Sequence, residues 1–406
     1  MSKSRGRSNG EGSIYPYKNG YAAYAWVTTP EGLSRRKYVY GATWDDVHEK
    51  WIKLKDQATK GPMVTSTPLF GAYLDYYIRE IVRPNLAPKS VEDYERFARI
   101  YFTPGLGKKK LKMTTRDLQQ WFNSTARTCQ CCAQGKDAAR SKKKQRCCAK
   151  GSCCEDYPTA STLYELKRRL RIIFNCAIDE ELISRNPATA VKIPQVRRKR
   201  RRRWTSEHAR QFLASAKEDD DPLYAAYVLV LVEALRKGEA LGLPKDAPNF
   251  DDQLLDIGWQ LQRVGGKLLH RETKTAESDN PSLPFPSIVG SALQHRLAQR
   301  ERDRQAAGDA WEEHGLMFTT RLGSPIEPRN FNRAWDARIV KAGVPKISVH
   351  DGRRTCGSLL ADLDVHPRVA MAILRHAQFG LTMEIYTEVS DEATRAGLKK
   401  LGDALG

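Results

Sequence analysis

The stretch AILRHAQFGLTMEIYTEV (372–389), taken with VHDGRRT (349–355) and ALRKGEALGL (234–243), decides how this chain is read. His350 and Arg353 stand at i and i+3, on one face of a helix, and Tyr386 follows His376 within the same stretch. Arg236 falls in LVLVEALRKGEALGL (229–243), which reads as a helix whose apolar residues are core. Between these stretches, WQLQRVGGKLLHRETKT (259–275) reads as a hairpin turning at Gly265-Gly266, with Lys274 just past its second strand. Each element alone is better explained as structural than as catalytic. Together they supply guanidiniums, proton carriers and a phenol.

Composition says what such a set acts on. The 406 residues carry 68 Lys and Arg against 48 Asp and Glu, a formal charge of +20, so polyanions are the expected partners. The longest apolar run, Tyr224 to Val232, is too short to span a bilayer. The N-terminal MSKSRGRSNG has no apolar core behind its charges and is not a secretory signal. A cytoplasmic protein working on nucleic acid, with no membrane partner, is expected.

Upstream, GSIYPYKNGYAAYAWVTT (12–29) alternates with period two around Asn19-Gly20, a hairpin signal joining Ser13–Tyr17 to Tyr21–Thr28. A third strand follows at Arg35–Tyr40, then a helix capped by Thr43 and carrying Trp44, Val47, Trp51 and Leu54. The two tryptophans are expected to fill this small core. The opposite sheet face, with its tyrosines and Arg35, Arg36 and Lys37, suits a DNA groove or a solvated surface.

ATKGPMVTS (58–66) reads as a linker. Helical patterns begin at Pro68, at Pro88 and near Thr115. The longest follows, with Leu163, Leu166, Leu170, Ile173, Phe174 and Ala177 on one stripe and Asn186-Pro187 as its stop. Lys167, Arg168, Arg169 and Arg171 are placed on its other face, as DNA contacts or as plain solvated charge. VRRKRRRRW (196–204) contains seven consecutive basic residues, Arg197, Arg198, Lys199, Arg200, Arg201, Arg202 and Arg203, and reads as a linker that tracks a phosphate backbone.

Seven of the nine cysteines lie in CQCCAQGKDAARSKKKQRCCAKGSCC (129–154): Cys129, Cys131, Cys132, Cys147, Cys148, Cys153 and Cys154. Thiolates this dense, in a loop too polar for a core, read as a structural zinc site rather than free thiols or a disulfide framework. The irregular spacing leaves open which four bind, and whether one ion or two are held.

The order and types of Arg236, Lys274, His350, Arg353, His376 and Tyr386 resemble the tyrosine recombinase (phage integrase) family. That family has an H-x-L-R-H box, then L-G-H, then a nucleophilic tyrosine; here they stand as HDGRR, LRH and IYTEV. Its first box resembles ALRKGEALGL, with Arg236 and the supporting acid Glu239. Gly352 stands where Leu is usual, Arg354 where His is common, and Arg375 where Gly precedes the third-box histidine.

The resemblance implies a multidomain fold, mainly α with small β. An arm-type DNA-binding domain (1–58), a three-stranded sheet plus helix, precedes a helical core-site DNA-binding domain (67–195) holding the cysteine insert. A basic linker (196–204) then leads to an α+β catalytic domain (205–406). It further implies that Tyr386 attacks DNA, with Arg236, Arg353 and His376 on the phosphate, Lys274 as general acid and His350 assisting, and with no catalytic cofactor. Core-type and arm-type attachment sites, a homotetramer on DNA, a directionality factor and a DNA-bending host protein are the implied partners. A type IB topoisomerase and a catalytically inactive DNA-binding regulator are the competing readings.

Overall fold

A computed structural model describes residues 14–29, 32–61, 67–195, 202–273, 282–375, 399 and 402–403. The chain divides into two compact units, Met1–Arg197 and Arg198–Gly406. Each is mainly helical with small sheets.

The first unit opens with an antiparallel sheet in the order β1 (Tyr15–Tyr17), β2 (Gly20–Thr28), β3 (Ser34–Gly41). Lys18 takes the positive φ of the tight turn, one residue before the expected Asn19-Gly20. Gly20 is needed in the strand instead, because a Cβ there would stand 2.3 Å from the Gly41 carbonyl oxygen. Ala23, Ala25 and Val27 of β2 point inward to Val47, Trp51 and Leu54 of α1 (Trp44–Lys60), which Thr43 caps through the Asp46 amide. Trp51 is 7% exposed and donates its indole N–H to the Tyr24 carbonyl at 3.0 Å. Trp44, expected in the core, is 47% exposed and stacks on His48; the small core is filled without it.

The outer face of the sheet carries Tyr24, Trp26, Arg36, Tyr38 and Tyr40, with Arg36 over the rings of Tyr24 and Trp26. Arg35 and Lys37 do not join it. They pair with Val27 and Ala25 on the helix side, since consecutive strand residues alternate faces.

Downstream, the helix Phe70–Tyr76 widens into a π-helical stretch, Tyr77–Val82, and Pro88–Phe97 into another, Ala98–Phe102. Each stretch precedes a proline, Pro84 or Pro104. A proline ring clashes with the carbonyl four residues back, and a wider turn moves that carbonyl aside. Helices Thr115–Arg127 and Ala160–Asp179 complete a core around Phe70, Phe102, Phe122 and Phe174.

Ala160–Asp179 ends well before the expected Asn186-Pro187, in a turn where Glu181 takes φ 58°. Arg169 is not on its solvent face. It is 7% exposed and lies 4.5 Å from the centroid of Tyr94 and 4.6 Å from that of Phe97. As i+3 from Leu166 it falls on the apolar stripe, and its guanidinium replaces a methylene stem against two rings.

In the second unit, helix Tyr224–Leu231 is buried nearly all round, so the longest apolar run is a central core helix. No helix among the described residues is long and apolar enough to cross a membrane. Around it pack Ser206–Glu218, Ser287–Ala307, Pro328–Ala342 and Val349–Asp362. A three-stranded antiparallel sheet (Pro248–Asn249, Leu254–Asp256, Ser282–Pro284) and the hairpin Trp259–Val264/Lys267–Glu272 complete it. Gly265 and Gly266 take φ 54° and 77°, as a two-residue hairpin turn requires. Trp204, read from sequence as the end of the linker, is 1% exposed and stacks on Trp335 at 5.6 Å.

Candidate active site

The expected helix through Arg236 is interrupted. Tyr224–Leu231 stops, the chain turns through Val232, Glu233 and Ala234 (φ 50°), and Arg236 becomes the N-cap of a short helix, Lys237–Leu241. Apolar periodicity ran through this turn unbroken, and so hid it. The interruption is what exposes the backbone. The Ala234 carbonyl, freed from helical bonding, accepts from Arg353 Nη1, while Arg353 Nη2 donates to the Leu374 carbonyl.

Arg353 lies on Val349–Asp362, a helix capped by a reciprocal pair between Ser348 and Asp351. It is 3% exposed. Burial and then the neighbouring Arg236 push its pKa down to about 9.

Glu239 ties the remaining cations together. Its carboxylate accepts from the Arg236 backbone N–H at 2.9 Å, from Arg236 Nη1 at 2.6 Å and from Arg375 Nη2 at 2.7 Å. Burial alone would raise its pKa; Arg375 and Arg236 hold it below the ordinary carboxylate range. Arg375 also donates to the Glu233 carbonyl at 3.3 Å. Three guanidiniums and one buried ionised carboxylate leave local positive charge, and the Arg236 side chain is about half exposed to meet an anion.

His350 sits in the first turn of the Arg353 helix and is exposed. Lys274, His376 and Tyr386 lie outside the described residues, as do Arg197, Arg198, Lys199, Arg200 and Arg201. Arg202 and Arg203 are exposed. On the long basic helix, Lys167 donates to the Val191 carbonyl, Arg168 pairs with Glu165 at 2.9 Å, and Arg171 is exposed. The seven insert cysteines are brought together as free thiols, in two sets of four whose sulfurs lie within 4.8 Å of one another.

The description "Phage integrase family" matches residues 202–393, the segment containing this site. That segment is a phage integrase family domain. Among relatives, it is 24% identical over 409 residues to a XerC-like tyrosine recombinase of Caldanaerobacter subterraneus subsp. tengcongensis, covering 95% of this chain and 97% of that one. It is 25% identical over 256 residues to the transposase of transposon Tn916 from Enterococcus faecalis, covering 59% and 61% of the two chains. Its fold matches the Tn1549 transposon integrase in complex with circular intermediate DNA, with a TM-score of 0.61, 19% identity, and coverage of 82% of this chain and 99% of that one.

As a tyrosine recombinase, the protein is an enzyme that cleaves and rejoins DNA in site-specific recombination. Its departures from the family pattern acquire reasons. Gly352 has no room for a side chain: a Cβ would stand 2.9 Å from the Trp335 ring, which fills the space. Arg375 is the C-cap of Pro367–Leu374 in the left-handed conformation, φ 47°, where glycine is the usual residue. The family pattern, with glycine there, does not anticipate its ion pair with Glu239. The signal was present, since a long cation in a glycine position needs a partner to hold it.

Proposed function

We propose that this recombinase integrates and excises a mobile genetic element through a 3′-phosphotyrosyl intermediate. In this reading the Tyr386 oxygen bonds to the scissile phosphorus as the bond to the 5′-oxygen breaks, and Lys274 gives that oxygen its proton. A 5′-hydroxyl from the other DNA end reverses the step, so bond energy is conserved and no cofactor is consumed. Arg236 and Arg353 meet the charge that builds on the nonbridging oxygens, His376 adds a hydrogen bond, and His350 assists proton transfer.

The observation that carries this reading is the closeness of Arg353, bonded to the Ala234 carbonyl, to Arg236, which Glu239 holds. Two guanidiniums crowded together, one of them desolvated, gain most when a phosphate arrives. The outer aromatic face of β1–β3, with Arg36, is suited to arm-type sites, and the helical region to core-type sites along with the 197–203 linker. Assembly as a tetramer on attachment sites, with a directionality factor and a DNA-bending protein, completes the proposal. The cysteine insert is proposed to hold structural zinc.

A nicked duplex bearing the cognate site tests it, because the cleaved fragment diffuses away and traps the intermediate. A denaturation-resistant protein–DNA adduct is expected, absent from Tyr386→Phe. No adduct on a site the protein binds would overturn the catalytic reading.

A further inference from the structure

The cysteine insert has almost no apolar interior, yet its turns converge. Asp137, fully buried, accepts from the backbone N–H groups of Arg146, Cys147 and Ala149 and from Arg140 at 2.8 Å, so it fixes the Cys147–Cys148 turn against the 135–140 turn. The Gln130 amide donates to the Asp156 carbonyl at 2.8 Å and closes the base of the loop. Cys129 and Cys131 are buried, whereas Cys132, Cys153 and Cys154 are exposed.

The sulfur positions are specific. Cys129 and Cys148 lie 3.9 Å apart, Cys132 and Cys153 3.8 Å, Cys131 and Cys147 3.8 Å, and Cys148 and Cys154 3.7 Å. Disulfide sulfurs would stand at about 2.05 Å. A tetrahedron with zinc–sulfur bonds of about 2.3 Å has an edge of about 3.8 Å. One set is Cys129, Cys132, Cys148 and Cys153; the other is Cys131, Cys147, Cys148 and Cys154. Cys148 belongs to both. Two sets of four that share one member account for all seven cysteines of the insert. Cys129 of the first set also lies 3.9 Å from Cys154 of the second, so the two sets adjoin beside Cys148.

We infer that the insert holds two zinc ions in a binuclear cluster, with Cys148 as a bridging thiolate and three terminal thiolates on each ion. This rests on the zinc reading above and goes beyond it in number and connectivity. Charge agrees: seven thiolates outweigh two divalent ions, and the loop that must neutralise the excess carries Lys136, Arg140, Lys142, Lys143, Lys144, Arg146 and Lys150 against the single acid Asp137. The cluster takes the place of the missing core, and metal binding is coupled to folding of the insert.

Metal analysis of the full chain, purified without chelator, is expected to give two zinc ions per chain. One ion would overturn the binuclear assignment and leave the zinc reading standing; none would overturn both. Cys132→Ala, which touches one set, is expected to retain one ion, whereas Cys148→Ala, which opens both, is expected to retain fewer. Equal retention by the two variants would count against the bridge. Should either variant fail to fold, cadmium NMR of the unaltered chain loaded with ¹¹³Cd decides: two resonances coupled to each other through a shared sulfur are expected, and two uncoupled resonances would overturn the bridge.

Discussion

Arg375 Nη2 stands 2.7 Å from Glu239 Oε2, on the carboxylate whose other oxygen accepts from Arg236 Nη1 at 2.6 Å. Arg375 thus holds the acid that holds Arg236, the arginine proposed to meet the scissile phosphate. Arg375→Gly removes the whole side chain and suits the left-handed backbone, while Arg375→Ala removes the guanidinium but keeps the strain of a Cβ there. Glu239 keeps Arg236, so cleavage of a nicked substrate is expected to slow about tenfold, or about 1.4 kcal/mol, with DNA affinity little changed. Chemical denaturation should find the Ala variant about 1 kcal/mol less stable than the Gly variant. Equal cleavage by wild type and Arg375→Gly would remove Arg375 from any positioning role.

Glu233 gives a pH dependence. It is 4% exposed, and burial pushes its pKa up to about 7, with Arg375 opposing. The folded state therefore binds a proton more readily than the unfolded chain, whose carboxyl titrates near the ordinary value of about 4.3. Stability from this group is full below that ordinary value and is lost as pH rises through about 7. Glu233→Gln should leave stability near pH 4.5 almost unchanged and raise it at pH 8 by up to about 3 kcal/mol. Urea titrations at both pH values check this; parallel pH profiles for the two proteins would refute it.

Gly352 and Trp335 form a second matched pair. Gly352→Leu restores the usual family residue but drives it into the Trp335 ring, and overpacking should destabilise by about 2–3 kcal/mol. Adding Trp335→Leu opens the space, so the double variant should be more stable than the sum of the two single effects. Strict additivity in thermal denaturation would mean that the contact does not set the residue choice.

Arg169 and Arg171 separate packing from DNA contact on one helix. Arg169→Met replaces the guanidinium that lies against Tyr94 and Phe97 with an apolar thioether, and so removes a buried cation whose Nε has no partner among the described residues. Stability should hold or rise, with the salt dependence of DNA binding unchanged. Arg171→Ala is expected to lower the slope of log K against log salt by about one. A matching loss in Arg169→Met would place it on the DNA instead.

Much of this protein follows from sequence by itself, because the relevant forces are local or periodic. The β1–β2 hairpin, the Gly265-Gly266 turn, the Thr43 cap and the helical stripe from Leu163 to Ala177 depend on steric preference and hydrophobic repeat within a few residues. The order Arg236, Arg353 and Tyr386 carried the family in the same way. Tertiary structure decided what those forces leave degenerate. An arginine on a helix has the same local preference whether it meets water, as Arg171 does, or two rings, as Arg169 does. The break at Ala234 is invisible to periodicity, because the turn is stabilised by long-range bonds from Arg353 and Arg375. The cysteines suggested a metal site through composition, but which thiols converge depends on distances between turns that only the folded insert sets.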